Sequence, residues 1–196
     1  KMAKISEIAL CNFDLHPNKI FFRSLDKSLS GLECLKLVKV IIEKFDLTKK
    51  KSIGIHSSNN ILWPLIYLAS DIYCHEIFIF PSNLPQKQIG ELKDKHNIDC
   101  IFCDEDIEHL QSLSLIGVDL NKISKWENNY KRSDILFTSG TTGLPKGVRI
   151  EEDSFMHVAN TLIAELDQNS SDLELLSMPF GHSFGLVRLR SSIISG

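Results

Sequence analysis

From residue 30 onward, stretches with an apolar residue every three or four positions alternate with short blocks of continuous apolar residues. Ser30-Gly-Leu-Glu33 sets a hydroxyl three residues ahead of a carboxylate, the pattern of a capping box, and predicts a helix start. Leu32, Leu35, Val38, Ile42 and Phe45 follow near helical spacing. A polar turn over 48–51 leads to a strand at Ile53-Gly-Ile55. Asn59 and Asn60 stand where a helix cap belongs, ahead of the apolar run 62–67, with Pro64 tolerable only in the first turn. Residues 76–80 are β-branched and aromatic and predict a strand stopped by Pro81. A polar helix is expected from Pro85 through His96, a third strand over 100–103, a helical face of Ile107, Leu110 and Leu113, and a fourth strand over 115–118.

Residues 121–132 are polar, with paired asparagines and mixed charges, and read as a linker. Beyond them Ile135-Leu-Phe137 predicts a strand, a loop rich in Gly, Ser and Thr follows, and Val148-Arg-Ile150 predicts another strand. Phe155, Val158, Ala159, Leu162, Ile163 and Leu166 form one helical stripe, preceded by Glu151, Glu152 and Asp153 where a helix dipole favours negative charge. A strand is expected over 173–178, ended by Pro179, and a helix over 184–194. Strands alternating with helices predict an α/β fold, a parallel-rich sheet flanked by helices, with no internal repeat. The expected organisation is a first α/β subdomain over 1–120, a linker over 121–132, and a segment over 133–196 that carries the loop and begins the next part.

Composition narrows the classes. The 196 residues carry a net charge of -3, with 43% hydrophobic and 24% charged residues of both signs, which gives no reason to expect nucleic acid or an anionic membrane as partner. No apolar run is long enough for a transmembrane segment, and Asn12, Asp14 and His16 break up the N-terminus, so no secretory signal is read there. Five cysteines without regular close spacing suggest a reducing, cytoplasmic compartment. Cys100-Ile-Phe-Cys103 has the C-x-x-C spacing, and His96 and His109 could complete a zinc site. The run reads more simply as a buried strand, and no metal site is assigned to the chain. Lys49-Lys-Lys51 and His75-Glu76 read as solvated surface.

The chemistry is concentrated in Thr138-Ser-Gly-Thr-Thr-Gly-Leu-Pro-Lys146-Gly147. Thr138, Ser139, Thr141 and Thr142 are hydroxyl donors flanking Gly140. The glycines, Gly143 among them, let the backbone approach a ligand, and Lys146 adds a positive charge. Polyphosphate needs donors from several directions and charge compensation. The alternative is a plain polar turn between two strands. The Walker A spacing is absent, because Pro145 lies five residues after Gly140 and Gly147 follows Lys146; nor is there a G-x-G-x-x-G dinucleotide fingerprint.

This ten-residue stretch resembles the phosphate-binding signature of the adenylate-forming superfamily, which includes acyl-CoA synthetases, luciferases and the adenylation domains of peptide synthetases. The resemblance covers nearly the whole chain from about Ser24. It extends to Met178-Pro-Phe-Gly-His182-Ser-Phe-Gly185-Leu186, similar to the family's Pro-x-x-His-x-x-Gly segment. Alone, His182 would read as a partly buried, satisfied side chain; beside the loop it reads as functional. Two departures mark a divergent branch: Glu151-Glu152 replaces a common Thr-His pair, and Cys74-His-Glu76 replaces a Gly-Ala run.

The resemblance implies the N-terminal subdomain of an adenylate-forming enzyme, incomplete at 196 residues. It implies an AMP-forming acid–thiol ligase using ATP and Mg²⁺, with CoA or the phosphopantetheine of an acyl carrier protein as acceptor. The acid is open, and the 180–185 segment is similar to that of fatty acyl ligases. Thr138 through Gly143 would wrap the phosphates, Lys146 would support the loop's charge, His182 would orient the carboxylic acid as the catalytic residue, and Phe180 and Gly185 would belong to the substrate pocket. The chain by itself is expected to be inactive. The competing reading is a non-catalytic nucleotide-binding or interaction scaffold of the same fold; a P-loop NTPase is disfavoured by the spacing.

Overall fold

The computed structural model describes residues 3–120, 131–138 and 143–196. Ser139, Gly140, Thr141 and Thr142 of the glycine-rich loop, and residues 121–130 of the expected linker, lie outside the described residues.

Helix α1 (Ile5–Leu15) leads into an antiparallel hairpin of β1 (Ile20–Arg23) and β2 (Ser28–Ser30), and α2 (Gly31–Lys44) starts where the capping box predicts it. Glu33 donates its N–H to Ser30 Oγ at 3.3 Å, and Ser30 donates its own N–H to Glu33 Oε2 at 2.8 Å. That second bond holds the Glu33 carboxyl below the usual carboxylate range. A lowered folded-state pKa adds stability that is full above the unfolded carboxylate range and is lost as pH falls through Glu33's own value. Ser30→Ala keeps that backbone bond but removes the hydroxyl, which also donates to Glu33 Oε2 at 2.8 Å; it is expected to cost about 1 kcal/mol at neutral pH, read from the urea midpoint, with the part owed to the hydroxyl–carboxylate bond lost in acid. Within α2, Leu35, Val38 and Ile42 are buried as expected, whereas Leu32 faces solvent.

The remaining elements are β3 (Ser52–Ile55), α3 (Trp63–Tyr73), β4 (Glu76–Ile79), α4 (Gln86–His96), β5 (Cys100–Phe102), α5 (Asp104–Gln111), β6 (Ser133–Thr138), β7 (Lys146–Glu151), α6 (Glu152–Glu165) and α7 (Ser183–Ser195). One sheet runs β5-β3-β4-β6-β7, parallel throughout except for β7, which pairs antiparallel with β6. Residues 133–151 therefore share a sheet with the strands before residue 103.

Side-chain alternation along the strands separates two cores. Ile77, Ile79 and Leu136 face the side packed by α1, α2, α3 and α7. Phe78, Phe80, Ile135 and Phe137 face the other side, against Ile89 and Leu92 of α4. Residues 63–72 of α3 are buried without exception, as suits a helix enclosed on every side.

That enclosure includes charge. Asp71 on α3 pairs with Arg132 at 2.7 Å, Arg132 pairs with Asp134 on β6 at 3.0 Å, and Arg190 on α7 closes on the other oxygen of Asp134. Tyr67 Oη accepts from Arg132 at 2.6 Å and from Arg190 at 3.0 Å, and donates to Asp134 at 2.7 Å. The Phe155 ring of α6 covers both guanidinium groups, at 4.7 and 4.0 Å. Asp71 also accepts the backbone N–H of Ser6 at 3.0 Å, which ties α1 into the same cluster. Arg132, assigned from sequence to a polar linker, is fully buried.

Three expectations need correction. Residues 115–118 form no strand; Gly117 sits at φ +78° and the chain turns there. Residues 173–178 run without pairing to a strand among the described residues, and Leu173 and Leu175 are 87% and 90% exposed. An apolar block marks a strand only where a neighbouring ladder takes up its backbone groups. On α6 the stripe is narrower than predicted: Phe155 and Ala159 are buried with Met156, while Val158 and Leu166 are exposed. Among the described residues no helix is long and apolar enough to cross a membrane.

Candidate functional site

In parallel sheets ligands settle at the carboxyl ends of the strands. Three segments meet at that edge here: the 56–60 loop after β3, Phe80-Pro81 after β4, and Thr138 at the end of β6.

Thr138 and Lys146 face each other across the hairpin of β6 and β7, and both are exposed. Thr138 lies two positions beyond Leu136, so it projects on the sheet face that carries α7. Its hydroxyl reaches Lys146 O at 3.4 Å, a long bond that an incoming acceptor could replace. Gly143 has φ +137°, in the region that favours glycine, with open space where a Cβ would stand. The described part of the loop thus offers a hydroxyl, an unobstructed backbone and an ammonium. Ser139, Gly140, Thr141 and Thr142 lie outside the described residues.

His182 is the N-cap residue of α7 and is exposed. Its backbone N–H donates to Pro179 O at 3.1 Å, closing a turn over 179–182. Phe180 is buried against Trp63, ring centroids 5.1 Å apart. A Cβ on Gly181 would lie 2.8 Å from Phe80 O and 3.0 Å from Pro81 Cα, so the turn rests directly on the end of β4. The Phe80 ring stacks on Phe137, at 4.8 Å between centroids. Thr138 and His182 are therefore each one residue removed from a contact with Phe80: Phe137 in one case, Gly181 in the other.

Phe180 also lines a cavity of about 330 Å³ between the β1 hairpin, the 173–176 segment and the last turns of α7. Thr138, Lys146 and His182 do not line it. Gly185 serves the turn itself, because a Cβ there would overlap Pro179 O. The two sequence-paired asparagines separate in role. Asn60 Oδ1 accepts the N–H groups of Leu62 and Trp63 at 3.0 and 2.9 Å, at the entry to α3, whose N-cap residue is Leu62. Asn59 instead reaches the His182 turn, a contact invisible from the linear pattern, although only one of two adjacent asparagines can cap a given helix.

The C-x-x-C pair does not converge on a ligand set. Cys103 Sγ lies 3.1 Å from Glu105 and 3.2 Å from Asp106 at the start of α5, and burial pushes the Cys100 and Cys103 thiols up to about 11. Among the described residues no three His, Cys, Asp or Glu side chains gather as a metal site.

The sequence and the fold are similar to those of known proteins. The chain is 24% identical over 123 residues to a D-alanine–D-alanyl carrier protein ligase of Staphylococcus haemolyticus, covering 59% of this chain and 25% of that one. It is 34% identical over 77 residues to a 2-succinylbenzoate–CoA ligase of Bacillus pumilus, covering 38% and 16%. The fold matches the N-terminal domain of FACL13 from Mycobacterium tuberculosis with a TM-score of 0.75 at 14% identity, over 100% of this chain and 56% of that one. It matches the o-succinylbenzoate CoA synthetase of Bacillus subtilis, solved with its acyl-adenylate intermediate, with a TM-score of 0.70 at 18% identity, over 96% and 53%. The chain thus spans a quarter or less of these curated relatives and little more than half of the solved ones. The profile of the AMP-binding enzyme family matches residues 31–196, more than four-fifths of the sequence, and the chain belongs to that family.

Proposed function

We propose that the protein containing this chain activates a carboxylic acid with ATP, forming an acyl-adenylate and releasing pyrophosphate, and then passes the acyl group to a thiol. The observation that carries this reading is that Phe137, next to Thr138, and Gly181, next to His182, both contact Phe80 at the carboxyl end of β4. The carboxylate oxygen attacks the α-phosphorus, and negative charge grows on the departing pyrophosphate. Lys146 and the Thr138 hydroxyl provide charge-assisted and neutral donors for that charge, and Gly143 lets the backbone approach. The Thr138 hydroxyl would be an oxygen ligand of the kind Mg²⁺ accepts, and the ion, bound with the nucleotide, would neutralise phosphate charge. His182, at the mouth of α7, holds the acid by donating an N–H to its carboxylate. The acceptor is CoA or a carrier-bound phosphopantetheine, and relatives whose names specify each support both options. The acid is a fatty or other organic acid.

The test is acid-dependent ATP–pyrophosphate exchange by the full-length protein across straight-chain fatty acids, aromatic acids and amino acids. Exchange with at least one acid is expected. Lys146→Ala is expected to raise the KM for ATP about tenfold, the size of one lost charge-assisted bond, with little change in the KM for the acid. Binding of ATP without exchange by any acid would favour a nucleotide-binding scaffold instead.

A further inference from the structure

We propose that Asn59 is a positioning residue that fixes where His182 stands. This rests on the function proposed above. Asn59 lies in the loop between β3 and α3. Its carboxamide spans Pro179: Nδ2 donates to Met178 O at 2.8 Å, with a longer contact to Leu176 O at 3.5 Å, and Oδ1 accepts the N–H of Phe180 at 2.8 Å. These are the backbone groups a neighbouring strand would pair with, and one side chain more than a hundred residues away takes them instead.

The bonds bear directly on His182. Pro179 O, between the two clamped groups, accepts the His182 N–H, and His182 O accepts the N–H of Leu186 in the first turn of α7. Beneath the turn, Gly181 abuts the Phe80 carbonyl, which prevents it from sinking. Trp63 holds the Phe180 ring from the side. Among the described residues, no other hydrogen bond ties the 178–180 backbone to the β3 loop. Without the clamp, the turn keeps its floor and the ring contact with Trp63, but its backbone loses the hydrogen bonds that tie it to the β3 loop. The His182 imidazole would then sample a wider range of positions, and a carboxylate would meet it less often in the productive pose.

Asn59 is itself exposed, so removing its side chain opens no cavity in the core. Any loss in function is therefore separable from a loss of fold. A residue acting only through His182 has a distinctive signature: once His182 is gone, its own removal changes nothing further.

The experiment uses the full-length protein, with the acid from the panel above that supports fastest exchange. Asn59→Ala is expected to raise the KM for that acid about tenfold and leave the KM for ATP within about twofold, with the melting temperature nearly unchanged. The double variant Asn59→Ala/His182→Ala should match His182→Ala alone. Independent losses that multiply would overturn the proposal, as would an equal rise in both KM values. A second readout needs no activity. Hydrogen exchange of the peptide spanning 176–182 should speed up at least tenfold in Asn59→Ala while peptides of α3 keep their protection. Unchanged exchange there sinks the clamp even if the enzyme works as proposed. A wild-type protein with no acid-dependent exchange but a faster-exchanging 176–182 peptide in the variant would sink the function and leave the clamp standing as a structural device.

Discussion

Asp134→Ala is expected to cost about 3–5 kcal/mol of stability, enough to lower the melting temperature by on the order of 10 °C. The magnitude follows from what remains. Asp134 is fully buried and accepts from Arg132, Arg190 and Tyr67. Removing it leaves the Arg190 guanidinium in contact with the Tyr67 hydroxyl and the Tyr67 and Phe155 rings, and with no carboxylate among the described residues. Of the two aspartates paired with these buried arginines, only Asp71 remains, in a core that water does not reach. The cost arises from the uncompensated charge rather than from the intrinsic worth of the pair. Adding Arg190→Met to Asp134→Ala should therefore recover part of the loss, since the stranded charge goes with it. Thermal and urea unfolding of the single and double variants check this. A single-variant loss below about 1 kcal/mol, or a double variant less stable than the single, would show that the cluster is not held by charge balance.

This cluster also marks the boundary of what the linear pattern reveals. Capping chemistry, strand blocks and the order of elements are local, and Ser30, Glu33, Ile53, Ile55 and Pro85 announce them. Arg132 reads as linker because its neighbours on one side are polar; its burial depends on Asp71 and Asp134 arriving from α3 and β6. Periodicity likewise overstates the stripe of α6, since Val158 and Leu166 have the right spacing but remain exposed. The 173–178 block has strand composition without a ladder. The site divides the same way. The hairpin and His182 are legible as motifs, because the chemistry proposed for them needs those residue types close together in sequence. Phe80, the floor shared by both, and Asn59, the clamp, carry no motif and act only through the fold. Placing such residues requires knowing that β4 lies between β3 and β6.

Gly185→Ala is expected to reduce acid-dependent exchange about a hundredfold while the protein remains folded. An added Cβ would overlap Pro179 O and stand 2.8 Å from both Met178 O and Pro179 C, and all three are backbone atoms that no side-chain rotation can clear. Either α7 lifts or the 178–180 segment withdraws, by roughly 1 Å to restore ordinary contact. Both Leu186 and Leu189 bury fully in the core and Arg190 is held by Asp134, so the helix is the stiffer partner. The segment withdraws, straining the bonds of Asn59 to Met178 O and Phe180 N and shifting His182 with the turn. A displacement near 1 Å at a reacting group costs about 10² in rate. The accompanying overpacking costs about 1–3 kcal/mol, less than the whole of a domain's stability. Gly90 supplies the control: it lies inside α4, and a Cβ added there would meet nothing within 4 Å, so Gly90→Ala should leave exchange intact and gain up to about 1 kcal/mol. Kinetics should resolve the Gly185 effect into the parameters of the acid, with the KM for ATP close to wild type because the β6–β7 hairpin meets Phe80 through the Phe137 ring and not through the Phe80 carbonyl on which the disturbed turn rests. Full exchange activity in Gly185→Ala would mean that the turn relaxes without carrying His182, and that the close backbone packing at Gly185 does not set the position of the imidazole.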